Sequence, residues 1–108
     1  GMSDDDMLLA VATLKELGGG LCVVNNGKVL AELALPIAGL VSDKPAREVT
    51  ESLARIEHAA KSLGVKIGAP FMALSFLALP VIPHLKLTDK GLVDVDAFEV
   101  VPLAAESK

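Results

Sequence analysis

The alternation of apolar and polar positions divides the chain into a short series of elements. Ser3 opens a helix: its hydroxyl can cap the first turn, Asp6 stands three residues on as in a capping box, and Asp4 to Asp6 suit the positive helix end. Met7, Val11 and Leu14 recur at helical spacing, with Ala10 and Leu17 widening the stripe, and Gly18-Gly19-Gly20 end it. Leu21 to Val24 reads as a strand and Lys28 to Leu35 as its return, joined by Asn25-Asn26-Gly27, whose residues tolerate positive φ. In the return strand Val29, Ala31, Leu33 and Leu35 share one face, and Lys28, Leu30, Glu32 and Ala34 share the other, partly wet one.

Pro36 stops that strand because it cannot donate to a ladder. The clearest helix follows, capped by Ser42 or Asp43, with Pro45 in its first turn. Val49, Leu53, Ile56, Ala60 and Leu63 form its apolar stripe, Glu51 and Arg55 pair outside, and Gly64 ends it. Pro70 starts a shorter helix to about Leu79, apolar on nearly every side and therefore expected to be buried against the sheet and against something else. Pro80 and Pro83 stop it. Leu85 to Thr88, the turn Asp89-Lys90-Gly91 and Leu92 to Val95 make a second hairpin, and Phe98, Val100 and Val101 an edge strand before Pro102. Hairpins on either side of a helical block predict an α+β, two-layer domain over residues 2–103. Its sheet is mainly antiparallel, of about four strands, with helices packed on it; residues 104–108 form a frayed tail.

One connection stands apart. Loops face water and are usually polar, yet Leu33 to Ser42 reads LALPIAGLVS and is apolar nearly throughout. Within it Pro36, Ile37, Ala38, Gly39, Leu40 and Ser42 are the candidate interface or ligand-proximal residues.

Composition strengthens that reading. The chain has 108 residues, of which 52% are hydrophobic; with nine glycines the apolar share is about 60%, against roughly 45–50% in an ordinary soluble domain. A domain this small cannot hide that surplus, so an apolar patch facing another domain or another copy is expected. A net charge of −4, the absence of a Lys/Arg run and of Tyr or Trp, and three Phe in all argue against nucleic acid. The longest apolar run, Phe71 to Ile82, is too short to span a bilayer and is interrupted by Pro80. A single cysteine, Cys22, and an acidic start predict a reducing, cytoplasmic setting. Gly1 ahead of Met2 reads as a tag remnant.

Catalytic chemistry is hard to find. His58 and His84 have no ligand partner near them in sequence, and no HxH, HExxH or CxxC spacing occurs. The glycine triplet does not suit a phosphate, because here a helix leads into a strand rather than the reverse. Cys22 lies mid-strand without a basic neighbour, Ser42 and Ser75 lack a local base, and Asp89 and Asp94 suit a solvated hairpin.

Four segments together carry a resemblance: GGG at 18–20, LPIAGLVS at 35–42, PFMALSFLALPVIP at 70–83 and LTDKGL at 87–92. In this order, over about four-fifths of the chain, the sequence resembles the C-terminal domain of bacterial adenine deaminases. The resemblance implies an enzyme that hydrolyses adenine to hypoxanthine and ammonia on an amidohydrolase barrel, using a divalent metal such as Mn, Fe or Zn. No barrel ligand matches a position here, so no catalytic, cofactor or metal residue is assigned, and the chain alone is expected to be inactive. A histidine-rich segment that the family carries just before the first helix is also missing. The chain is then either an excised C-terminal domain or a short related protein, a possibility that the start at Met2 leaves open. The partner is an amidohydrolase barrel or a second copy of the chain, with no nucleic acid or membrane. The alternative is a stand-alone oligomerisation or purine-binding module.

Overall fold

The computed structural model describes residues 1–104 and is α+β, with every strand pairing antiparallel. The residues of the expected frayed tail beyond 104 lie outside the described residues. The chain forms two compact units, Gly1–Gly68 and the residues from Ala69 onward, each with its own sheet. The strands expected in one sheet are thus divided between a two-stranded and a three-stranded one.

In the first unit α1 (Asp4–Glu16) begins as its sequence dictates, with Ser3 Oγ accepting from the Asp6 amide at 3.1 Å. It ends in a Schellman motif, in which Gly19 N donates to Leu14 O and Gly18 N to Lys15 O. Its inward face differs from the expected stripe. Leu9, Ala10, Thr13, Leu14 and Leu17 turn inward, while Met7 and Val11 are exposed. The helix is apolar on more than one side, so spacing alone does not choose the face. Thr13 is admitted to the interior because its hydroxyl donates to Leu9 O within the helix.

The hairpin β1 (Gly20–Asn25) and β2 (Lys28–Ala34) turns through Asn26 and Gly27, at φ 51° and 70°, the positive values that a two-residue hairpin loop requires. The turn is tied to α1: the Asp6 carboxylate accepts from the Asn26 amide at 3.0 Å and the Gly27 amide at 2.7 Å. Val23 pairs with Ala31 but Val24 pairs with Val29, so Leu30 is the extra residue of a β-bulge. Cross-strand partners share a face. Val29 therefore leaves the face of Ala31 and Leu33 on which simple alternation put it.

Helix α2 (Ala46–Ser62) starts after Pro45, and no side chain caps it. The Ser42 hydroxyl, expected at this cap, accepts instead from the Lys44 amide in the turn before the helix. Ile56 is fully enclosed, at 0% exposure, and packs in the core with Ala60, Val23 and Leu33; Val49 and Leu53 are half-buried, whereas Leu63 is exposed. Glu51 pairs with Arg47 at 3.0 Å rather than with Arg55, which bonds to Ser52. Gly64 closes the helix in a second Schellman motif, Val65 N to Ala60 O and Gly64 N to Lys61 O. Helix α1 lies chiefly along β1, and α2 chiefly along β2.

In the second unit α3 (Pro70–Ser75) gives way to a 3-10 turn over Phe76–Ala78, so the expected single helix to Leu79 is two shorter pieces. Within this chain its enclosure is only partial. Pro70 is buried and Phe71 and Ala73 are half-buried, but Met72, Leu74, Phe76 and Leu77 are exposed. The strands β3 (Leu85–Thr88), β4 (Gly91–Asp94) and β5 (Glu99–Val101) form a meander with β4 in the centre. Leu85 and Leu87 are exposed at 55% and 57%, while Lys86 and Thr88 between them are half-buried. This inverts the usual apolar-in alternation.

Candidate functional site

The apolar loop is a small closed structure rather than a free connection. Ile37 and Val41 bond each other in both directions at 3.1 Å, and Leu40 N also donates to Ile37 O at 3.1 Å. Ala38 and Gly39 take φ of 56° and 72° to make the reversal, so an alanine occupies a conformation that glycine usually supplies. The loop presents Leu40 at 78% exposure, with Ile37 and Val41 also exposed.

The glycine triplet holds this loop from behind. Leu35 N donates to Gly19 O at 3.0 Å. A Cβ on Gly19 would lie 2.6 Å from Gly39 Cα, and one on Gly20 would collide with the Leu33 carbonyl. Gly19 and Gly20 have φ of 116° and 144°, which side chains disfavour. The triplet is thus a C-cap for α1, as its order in the sequence implies, and also a cradle whose missing side chains admit the loop backbone. Of the candidate residues, the fold gathers Pro36, Ile37, Ala38, Gly39 and Leu40 into this reversal. Ser42 sits apart, half-buried at its foot.

Beside the loop, between β2 and the start of α2, lies an open cleft of about 250 Å³. Glu32, Asp43, Glu48, Lys44 and Ser52 line it together with Ser42. Sequence reading does not find it, because its residues come from three separate stretches. Lys44 and Asp43 approach at 3.9 Å, both largely exposed, a pairing of little energy. The cleft is mixed in charge, with Leu33, Ala34 and Val49 completing its wall, and among the described residues no buried side-chain polar atom lacks a partner.

The other candidates are accounted for locally. Burial raises the pKa of the Cys22 thiol, and the Glu32 carboxylate facing it across the strand pair raises it further. Its Sγ points to Ala10 O at 3.7 Å, so it is a protonated, partly covered thiol and not an activated nucleophile. His58 is an exposed helix residue. His84 pairs with Asp96, which is exposed with it. Ser75 Oγ donates to Met72 O, and Asp94 accepts from the Asp96 and Ala97 amides in the turn after β4. Among the described residues no three His, Cys, Asp or Glu side chains converge as a metal ion would need. The side chains here do not fit the divalent ion that the resemblance implies for the barrel.

The fold and the loop define a small antiparallel α+β domain that displays an apolar reversal. The model of the adenine deaminase C-terminal domain matches residues 1–99, and the chain belongs to that family. It is 56% identical over 101 residues to an adenine deaminase of Brucella abortus, covering 94% of this chain and 17% of that protein. It is 53% identical over 102 residues to one of Cereibacter sphaeroides, and 56% identical over 105 residues to adenine deaminase 2 of Carboxydothermus hydrogenoformans. These cover 94% and 96% of this chain and 18% of each relative. The chain therefore spans less than a fifth of the length of the relatives it matches.

Proposed function

We propose that the chain is the accessory, non-catalytic C-terminal domain of an adenine deaminase, or a short protein related to that domain, and that it docks through the Pro36–Ser42 loop. The deamination of adenine to hypoxanthine and ammonia then belongs to an amidohydrolase barrel carrying Mn, Fe or Zn, in the cytoplasm. This chain contributes packing. The observation that carries the reading is the loop itself: exposed Ile37, Leu40 and Val41 on a reversal braced by glycines. Each such side chain gains roughly 1.5–3 kcal/mol when taken from water. A pre-formed backbone avoids much of the ordering entropy of docking.

Two measurements test it. The isolated chain, supplied with Mn, Fe or Zn, is expected to release no hypoxanthine from adenine; sustained turnover would show that it is itself an enzyme. Grafted into the Carboxydothermus deaminase in place of the matching segment, it should support turnover, and Leu40→Asp in that graft should lower activity or thermal stability. A grafted Leu40→Asp enzyme as active and as stable as the unmutated graft removes the docking role. The exposed apolar side chains of the second unit favour a second reading, an oligomerisation module. A monomeric mass in light scattering at high concentration argues against that one.

A further inference from the structure

The sequence holds only two carboxamide side chains, Asn25 and Asn26, and no glutamine. Both stand at the β1–β2 turn, and Asn26 is exposed and followed by Gly27. The geometry points to Asn26-Gly27 as a site of spontaneous deamidation in this protein, held in check by the carboxylate of Asp6 on α1.

The chemistry needs only water. The backbone nitrogen of Gly27 gives up its proton to solvent base and attacks Cγ of Asn26, forming a C–N bond. The Cγ–Nδ2 bond then breaks, and ammonia leaves with a proton from solvent. Water opens the resulting five-membered imide. Attack at the former side-chain carbonyl leaves an ordinary aspartyl residue at this position; attack at the main-chain carbonyl leaves its isoaspartyl isomer, with the chain rerouted through Cγ. The sum is asparagine plus water to a carboxylic acid plus ammonia, with no change of oxidation state. Glycine in the following position offers least obstruction, because it has no Cβ beside the attacking nitrogen.

Three features set the rate in the folded protein. The nucleophile is occupied, since the Gly27 N–H donates to Asp6 Oδ1 at 2.7 Å. Its conjugate base would lie against a carboxylate, so the negative charge that the reaction requires at nitrogen is opposed. The neighbouring Asn26 amide donates to the other oxygen of the same carboxylate at 3.0 Å, which fixes the peptide between them. Asn25 serves as an internal reference: it lies in β1, half-buried, and is followed by a residue with a side chain. The isoaspartyl form would lengthen the turn by one backbone atom and so displace the Asn26 and Gly27 amides that Asp6 holds. Reaction at this turn therefore loosens the α1 start from the hairpin.

The test is a time course of the full chain at mildly alkaline pH, by peptide mass spectrometry with chromatographic separation of the aspartyl and isoaspartyl products. The folded wild-type chain is expected to convert Asn26 at least about ten-fold more slowly than the same chain in guanidinium, a factor equal to ~1.4 kcal/mol in the barrier. Asp6→Ala and the isosteric Asp6→Asn, each confirmed folded by circular dichroism, should both convert Asn26 faster than the folded wild type. Asn25 should stay intact throughout. Equal rates for folded and denatured wild type overturn the protection without recourse to any variant. Folded Asp6 variants that react no faster than wild type overturn the role of Asp6, and conversion at Asn25 ahead of Asn26 overturns the site.

Discussion

Residues 21–60 and residues 70–101 are built from the same kinds of side chain and dispose of them differently. In the first stretch Val23, Leu33, Ile56 and Ala60 are buried, Ile56 completely, and the helix stripe and the inner strand face agree about which way is in. In the second, Val95 is the one buried hydrophobic residue besides Pro70, while Met72, Leu74, Leu77, Leu85 and Leu87 face out. Hydrophobic patterning specifies a core only when two elements present apolar faces that can close on each other. The first unit has two long helices to close over its hairpin; the second has one short helix and a 3-10 turn beside three short strands. The first unit thus closes a core of its own, while the second leaves much of its apolar surface facing outward.

The strongest blow to this contrast is Ile56→Ala. It empties a fully enclosed site and should cost about 2–5 kcal/mol, read as a fall in the denaturant midpoint with the slope unchanged. A cost under about 1 kcal/mol would mean that the first unit is not organised around this residue. Next comes Gly19→Ala, which forces a side chain into a positive-φ position and against Gly39; about 1–3 kcal/mol should be lost. The same change should increase proteolysis at the 36–42 loop, and an unchanged cleavage rate would show that the cradle does not hold it. In the second unit, Leu77→Lys and Leu85→Lys should each change stability by no more than about 0.5 kcal/mol while raising solubility and lowering self-association. A large loss from either would erase the contrast between the units.

The smallest effect concerns Cys22 and appears only at alkaline pH. Its folded pKa is raised, so the folded chain holds the thiol proton more tightly than the unfolded chain does. Stability from this group is therefore complete below the pH at which an ordinary thiol ionises. It is lost as pH climbs from there through the raised value. Cys22→Ala should remove that alkaline decline and leave the neutral-pH dependence unaltered. Alkylation of Cys22 near neutral pH should likewise be slower than that of a free thiol.

What the sequence makes legible follows the range of the interactions. The capping of α1 by Ser3, the Asn26-Gly27 turn and the closure of α2 at Gly64 depend on neighbours a few residues away, and all three are readable. The α2 stripe is readable because seventeen residues repeat one period against polar neighbours. The inward face of α1 is not, because Met7, Leu8 and Val11 are as apolar as Leu9 and Leu14 and only the packing decides between them. Nor is the fit of Gly19 against Gly39, or the grip of Asp6 on a turn twenty residues away. Each is a contact between segments that local patterns treat as unrelated. At the candidate site the apolar character of Leu33 to Ser42 is plain from composition, whereas its bracing and the adjoining cleft exist only once the chain is folded.

The bulge at Leu30 has a consequence for how the chain reaches this structure. A plain two-stranded hairpin can slip by a residue and exchange its faces at modest loss. Here the pairing is pinned twice, at the Asn26-Gly27 turn and again at Leu30, where one extra residue must sit opposite the step from Val23 to Val24. A strand shifted by one would place the surplus residue against a regular stretch and turn Leu33 outward. The irregularity thus works as a key cut for a single position: only one register lets the bulge and the inward face of Leu33 be satisfied together.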